Sequence, residues 1–185
     1  MPIDKVTMEV NPRLFVVPAK VELAGAEMEL VAAISREMRL KNALDEVKEQ
    51  YHYVVIDTPP SLGLLTLNAL TAADSFLVPI QCEYYALEGL SQLLSTIKLV
   101  QKNLNPGLEM EGILMTMYDN RTNLSNQVVA DVQQNFKEKV FKTIIPRNVR
   151  LSEAPSFGQS ILDYDPKSKG AETYLALAKE VIKHG

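Results

Sequence analysis

The sequence predicts an α/β protein: a three-layer α/β/α sandwich built on a mostly parallel sheet. Three observations lead there. Short runs rich in Val, Ile and Leu alternate with longer segments of helical period through the whole chain, an order that requires crossover connections and therefore parallel pairing. The runs are apolar at successive positions, as strands covered on both faces are. The run Tyr53-Val54-Val55-Ile56 ends on Asp57 and a proline turn before a new helical pattern, which sets polar chemistry at the carboxyl end of a strand, where open α/β sheets hold ligands.

Taken in order, residues 1–13 carry two prolines and no clear period, and read as a loose or weakly extended lead-in. Leu14-Phe15-Val16-Val17-Pro18 is an apolar run stopped by proline, a candidate parallel strand. Residues 24–50 are helical in character, with Ser35 marking a second start, so that two helices or one bent helix are expected. After Asp57, two prolines forbid helix or ladder from continuing at once; beyond Gly63, Leu64, Leu67 and Leu70 restore a helical repeat. Phe76–Ile80 is the next buried strand, with Pro79 as its weak point.

The clearest helix follows. Leu87, Leu90, Leu93, Leu94, Ile97, Val100 and Leu104 form one stripe, ended by Asn105-Pro106-Gly107. Gly89 inside it suggests a neighbouring backbone at close quarters. Residues 112–118 make a strand, 119–123 a polar loop, and Val128, Val129, Val132 and Phe136 the buried face of another helix. Lys142–Pro146 is a short strand leading into a polar segment, 147–155. Ile161–Tyr164 reads as an edge strand, and 171–183 as a final helix with Leu175, Ala178 and Ile182 inward.

The 185 residues, 46% hydrophobic and 23% charged, suit a single domain spanning 1–185. The single Cys82 has no internal disulfide partner and reads as a small buried side chain. No stretch approaches the ~18 apolar residues of a membrane span. The start, Met1-Pro2-Ile3-Asp4-Lys5, lacks a leader's basic and apolar regions, so a cytoplasmic protein is expected. The net charge of −4 is uneven: residues 1–118 carry 9 basic and 15 acidic groups, residues 119–185 carry 10 and 8. Such a protein can hold DNA where its cations share a face.

Val54-Val55-Ile56-Asp57 followed by Thr58-Pro59-Pro60 resembles the Walker B strand and following switch of the ParA/Soj/MinD group of P-loop ATPases. The continuation Ser61-Leu62-Gly63-Leu64-Leu65-Thr66-Leu67-Asn68-Ala69-Leu70 narrows the resemblance to the chromosome-partitioning ParA/Soj branch. It extends over nearly the whole chain, through Leu23–Glu27, Pro79–Gly89, Thr122–Ser125, Ile145–Pro155 and Tyr164–Gly170.

The resemblance implies a P-loop NTPase-like fold, ATP and Mg²⁺ as cofactors, ATP-driven dimerisation, binding to DNA without sequence preference, and a ParB-type centromere-binding partner that stimulates hydrolysis. It makes Asp57 the metal-side acid, acting through a coordinated water, and Thr58, Pro59 and Pro60 the switch. Arg121 and Arg150 match the arginines of the family's DNA contact, and Pro146 and Asn148 fall in the loop bordering the adenine. Without the resemblance, each arginine would read as a solvated or ion-paired surface residue, and Pro146 and Asn148 as a turn and a helix cap.

One departure matters. These 185 residues hold no G-x-x-x-x-G-K-[ST] loop, no lysine-rich variant of it, and no Asp-x-Asp-Pro-Gln first switch. The expectation is an incomplete domain missing the first β-α unit, unable by itself to hydrolyse ATP or bind it tightly, nucleoid-associated in the cytoplasm, and partnered by a second copy in a homodimer or by a full-length ParA-type ATPase. Losing the strand beside Asp57 should also leave unpaired backbone and uncovered apolar surface. The alternative is a non-enzymatic short ParA-like regulator that binds DNA or a partner. The membrane-bound MinD branch is disfavoured because no basic amphipathic helix follows the last core helix, and a dinucleotide dehydrogenase because no glycine-rich first turn is present.

Overall fold

The computed structural model describes residues 2–59 and 61–184. They form two compact units, Met1–Asp74 with Leu93–Leu108, and Ser75–Gln92 with Glu109–Gly185.

The first unit opens with an antiparallel ribbon of β1 (Met8–Asn11) and β2 (Leu14–Val16), in register Met8↔Val16 and Glu9↔Phe15. The strand at Leu14 is therefore antiparallel rather than parallel, and the lead-in is extended over Met8–Asn11. The reason lies in Asn11-Pro12-Arg13: the Asn11 side chain accepts the Arg13 N–H at 2.9 Å and turns the chain straight back. Helix α1 (Leu23–Val31) and helix α2 (Arg39–Asp45) are separated at Ser35, which sits in the left-handed region at φ 51°. Arg36 donates to the Val31 carbonyl at 3.0 Å, covering a group that the end of α1 leaves open, and Arg39 donates to the Ile34 carbonyl in the connection at 3.1 Å.

Helix α3 (Leu64–Ala72) packs on α2 through Asn68. The Asn68 amide donates to the Arg36 and Leu64 carbonyls and accepts the Leu40 N–H, so this buried polar group is satisfied on each side. Tyr53–Ile56, expected as a buried strand, forms no β-bridge with any described residue, and Val55 is 91% exposed. A β-favouring run becomes a ladder only where a partner backbone is present, and here none pairs with it.

The second unit carries the parallel sheet. β3 (Ser75–Gln81) pairs with β4 (Glu109–Thr116), from Ser75↔Glu109 to Gln81↔Thr116. The Cys82 N–H donates to the Thr116 carbonyl. By the alternation of strand N–H groups, the position of Pro79 therefore faces away from β4, so its missing donor costs this ladder nothing. Residues 140–147 run parallel to β4 on its other side. Val140 bridges Ile113 and Pro146 bridges Tyr118, with Phe141 and Ile145 donating to the Ile113 and Met115 carbonyls at 2.9 Å. The expected strand at Lys142–Pro146 is thus not a regular strand: the segment follows β4 only through isolated bridges at Val140 and Pro146 and single backbone bonds.

Helix α4 (Ala86–Asn103) follows β3, its residues up to Gln92 in the second unit and those from Leu93 in the first, and Leu90, Ile97 and Val100 of the expected stripe are buried. Outside its own helix and chain neighbours, no described atom lies within 4 Å of a Cβ built on Gly89, so the expected close approach of a neighbouring backbone is not made by any described residue. Helix α5 (Asn123–Phe136), capped by the Thr122 hydroxyl, buries Val128 and Val132 and half-buries Val129 and Phe136. The core of the second unit is Leu114, Phe141, Ile145 and Leu177, flanked by Leu77, Leu151 and Val181.

Three further differences fall in the last third. Residues 149–153 form a short helix, α6 (Val149–Glu153). The expected edge strand is one helical turn, α7 (Ile161–Tyr164), because Ser160 accepts the Asp163 N–H and donates to the Asp163 carboxylate at 2.6 Å. In α8 (Lys169–His184) the inward residues are Ala171, Leu177 and Val181; Leu175 and Ile182, expected inside, are 45% and 61% exposed, and Ala178 is exposed too. No helix among the described residues is long and apolar enough to cross a membrane.

Candidate functional site

In the first unit, Asp57, Thr58 and Pro59 are exposed, and Pro60, expected in the same switch, lies outside the described residues. The loop is anchored at its far end. Thr66 donates its hydroxyl to the Ser61 carbonyl at 2.5 Å, and the Leu65 N–H donates to Glu27 Oε1 at 3.3 Å. A carboxylate at this N-terminus answers both the open N–H groups and the helix dipole.

In the second unit, the carboxyl ends of the parallel strands gather the polar loops, as the geometry of such sheets dictates. β4 leaves the sheet through Met117, a non-glycine residue in the left-handed region at φ 53°, and turns into the loop that carries Arg121. The Arg121 side chain is 80% exposed. It grips Asp119 with two parallel bonds, Nε to Oδ1 at 2.9 Å and Nη2 to Oδ2 at 2.6 Å, while its own backbone N–H donates to Oδ1 at 3.0 Å. These bonds hold the Asp119 carboxyl well below the usual carboxylate range.

The neighbouring strand end is tied to the same loop by the Arg147 N–H on the Tyr118 carbonyl at 2.9 Å. Arg147 then reaches Glu83, at the end of β3, at 3.1 Å. Asn148 caps α6 by accepting the Arg150 N–H at 2.8 Å, and Pro146 is half-buried at the bridge to Tyr118. Arg150 is more than half exposed and donates to Glu153 at 2.9 Å, with Asp165 at 3.6 Å. Glu153 also accepts the Tyr164 hydroxyl at 3.1 Å. The structure therefore brings Arg121, Pro146, Asn148 and Arg150 to one end of one sheet.

Sequence reasoning missed the acids that hold these arginines. Two of them left a signal in the spacing: Asp119 stands two residues before Arg121, where an Asp side chain can fold back on a backbone N–H, and Glu153 stands one helical turn after Arg150. Glu83 and Asp165 meet their arginines only through the fold. Cys82 is buried, and burial pushes its thiol up to about 11, as a packing residue rather than a reactive one.

Comparison with known proteins decides the family. The sporulation initiation inhibitor protein Soj of Bacillus subtilis is 62% identical over 183 residues, covering 99% of this chain and 72% of Soj. The chain belongs to the ParA/Soj family of chromosome-partitioning proteins. The chromosome partitioning protein ParA of Myxococcus xanthus is 62% identical over 170 residues, and this chain spans 60% of its length. A family model described as an AAA domain matches residues 2–110.

Among solved structures, cobyrinic acid a,c-diamide synthase from Mycobacterium smegmatis, with bound ADP and magnesium, aligns with a TM-score of 0.83 at 38% identity, over 100% of this chain and 68% of that one. The cell division ATPase MinD of Pyrococcus furiosus aligns with a TM-score of 0.77 at 21% identity, which shows a shared fold. The α/β class with a parallel sheet is thus that of the P-loop ParA/MinD-like proteins.

Proposed function

We propose that this ParA/Soj-family chain serves chromosome or plasmid partitioning by holding DNA without sequence preference, through Arg121 and Arg150. The observation that carries the reading is their placement: two exposed guanidiniums in polar loops at the carboxyl end of one parallel sheet, joined by the Arg147–Tyr118 backbone bond. A guanidinium presents several donors to phosphate oxygens, and contacts of this kind position a protein on DNA without reading its bases. In a cell, such a chain would be nucleoid-associated and would work with a ParB-type partner, as a homodimer or beside a full-length ParA-type ATPase.

The nucleotide half of the reading is weaker in this chain. Asp57 offers one exposed carboxylate for Mg²⁺ through water, and Pro146 and Asn148 offer an apolar ring and an amide beside a base. Yet the 185 residues contain no phosphate-binding loop, and among the described residues no three His, Cys, Asp or Glu side chains cluster as metal ligands. The residues present do not by themselves fit a magnesium–nucleotide complex, so the 185-residue chain alone neither hydrolyses ATP nor binds it tightly. The same fact favours a second reading: a short regulator that binds DNA or a partner without turnover.

The test is retention of a random-sequence duplex by the purified chain and by R121A/R150A, with and without ATP and Mg²⁺. Binding that needs the two arginines supports the DNA reading, and indifference to ATP supports the regulator. Binding unchanged in R121A/R150A, or absent throughout, overturns it.

A further inference from the structure

We propose that the arginine face is masked from within: Asp119 and Glu153 each neutralise the guanidinium beside them, and DNA must exchange an internal carboxylate for a phosphate before the face can hold it. The inference rests on the DNA-binding reading and adds its regulation.

The geometry is specific. Arg121 spends one whole edge of its guanidinium on Asp119, and the Arg121 backbone N–H pins that carboxylate to the loop, so the acid cannot swing aside without breaking a third bond. Glu153 is pinned as well. Its Oε2 accepts both Arg150 Nη1 and the Tyr164 hydroxyl, and the Tyr164 ring stacks on Phe157 with centroids 5.2 Å apart. Arg147 is engaged by Glu83 and Arg150 a second time by Asp165, so the ion pairs at this end of the sheet join three arginines to four acids.

Residues 119–185 carry a small excess of positive charge by count, 10 basic against 8 acidic groups, but around these arginines the balance is reversed. The electrostatic part of DNA binding comes from cations that replace condensed counterions. An arginine already matched by a fixed carboxylate supplies little net charge for that exchange, so a single copy of the chain binds weakly and with a shallow dependence on salt.

The experiment measures anisotropy of a labelled random-sequence duplex titrated with the 185-residue chain between ~50 and ~200 mM salt. D119N/E153Q removes two masking charges with isosteric side chains. D131N/E138Q removes two charges from exposed residues on α5 and just beyond it, as a control for net charge. At ~50 mM salt, D119N/E153Q is expected to bind about tenfold tighter than wild type with a steeper salt slope, each single variant giving part of the gain, while D131N/E138Q changes affinity less than about twofold. The gain should vanish when R121A/R150A is added.

A gain equalled by D131N/E138Q, or surviving R121A/R150A, overturns masking in favour of bulk charge. Unchanged or weaker binding by D119N/E153Q, with wild-type binding still lost in R121A/R150A, overturns masking and leaves the DNA reading intact. No binding by any variant overturns both.

Discussion

The Glu27 carboxylate lies in the space that a side chain on Gly63 would fill, and its Oε1 accepts the Leu65 backbone N–H at 3.3 Å. Gly63 has an ordinary φ of −83°, so what the glycine admits is this approach of Glu27, not a special backbone conformation. A methyl group there would push Glu27 off the start of α3. We expect Gly63→Ala and Glu27→Ala each to cost about 1 kcal/mol, the scale of a lost helix cap. The double variant should cost less than the two together, because both break one contact. Denaturant midpoints of the four proteins give the coupling, and strictly additive losses would show that Glu27 does not cap α3.

Gly89 makes the opposite prediction. It lies within α4, exposed, with open space around it. Gly89→Ala should raise stability by about 0.5–1 kcal/mol, through better helix propensity and a less flexible unfolded chain. Thermal melting checks this, and a lower midpoint would reveal a contact on that face which the helix does not make alone.

The Asp119–Arg121 pair sets a pH dependence whose sign is fixed. A carboxyl with a folded-state pKa below its unfolded value, ~3.9 for Asp, stabilises the fold above that value, and the contribution is lost as pH falls through the folded pKa. A carboxyl-carbon NMR titration should place Asp119 below the ordinary Asp range. Arg121→Ala should return it towards that range and remove the extra loss of stability in acid. An Asp119 midpoint that ignores Arg121→Ala would mean the bidentate pair does not persist in solution.

Much of the fold was legible because burial writes itself into sequence. β3, α4, β4 and α5 are long, strongly patterned segments, and their apolar residues lie where the pattern puts them. Difficulty came where a local bond outranks composition. The Asn11 side chain turns a lone strand into a hairpin, and the Ser160 hydroxyl winds a β-favouring run into a helical turn. On α8 two apolar stripes compete, and only packing against Phe141 and Ile145 selects the one with Leu177.

Of the site, the arginines were visible through their resemblance to the family's motifs. Asp119 and Glu153 carried only spacing. Glu83 and Asp165, distant in sequence from the arginines they meet, carried no signal that a linear reading could use.

The most direct test of the account is the salt dependence of DNA binding. The slope of log K against log salt should be shallower by about two in D119N/E153Q/R121A/R150A than in D119N/E153Q, one unmasked phosphate contact for each arginine. Equal slopes would mean that neither guanidinium touches the phosphate backbone and would contradict the account.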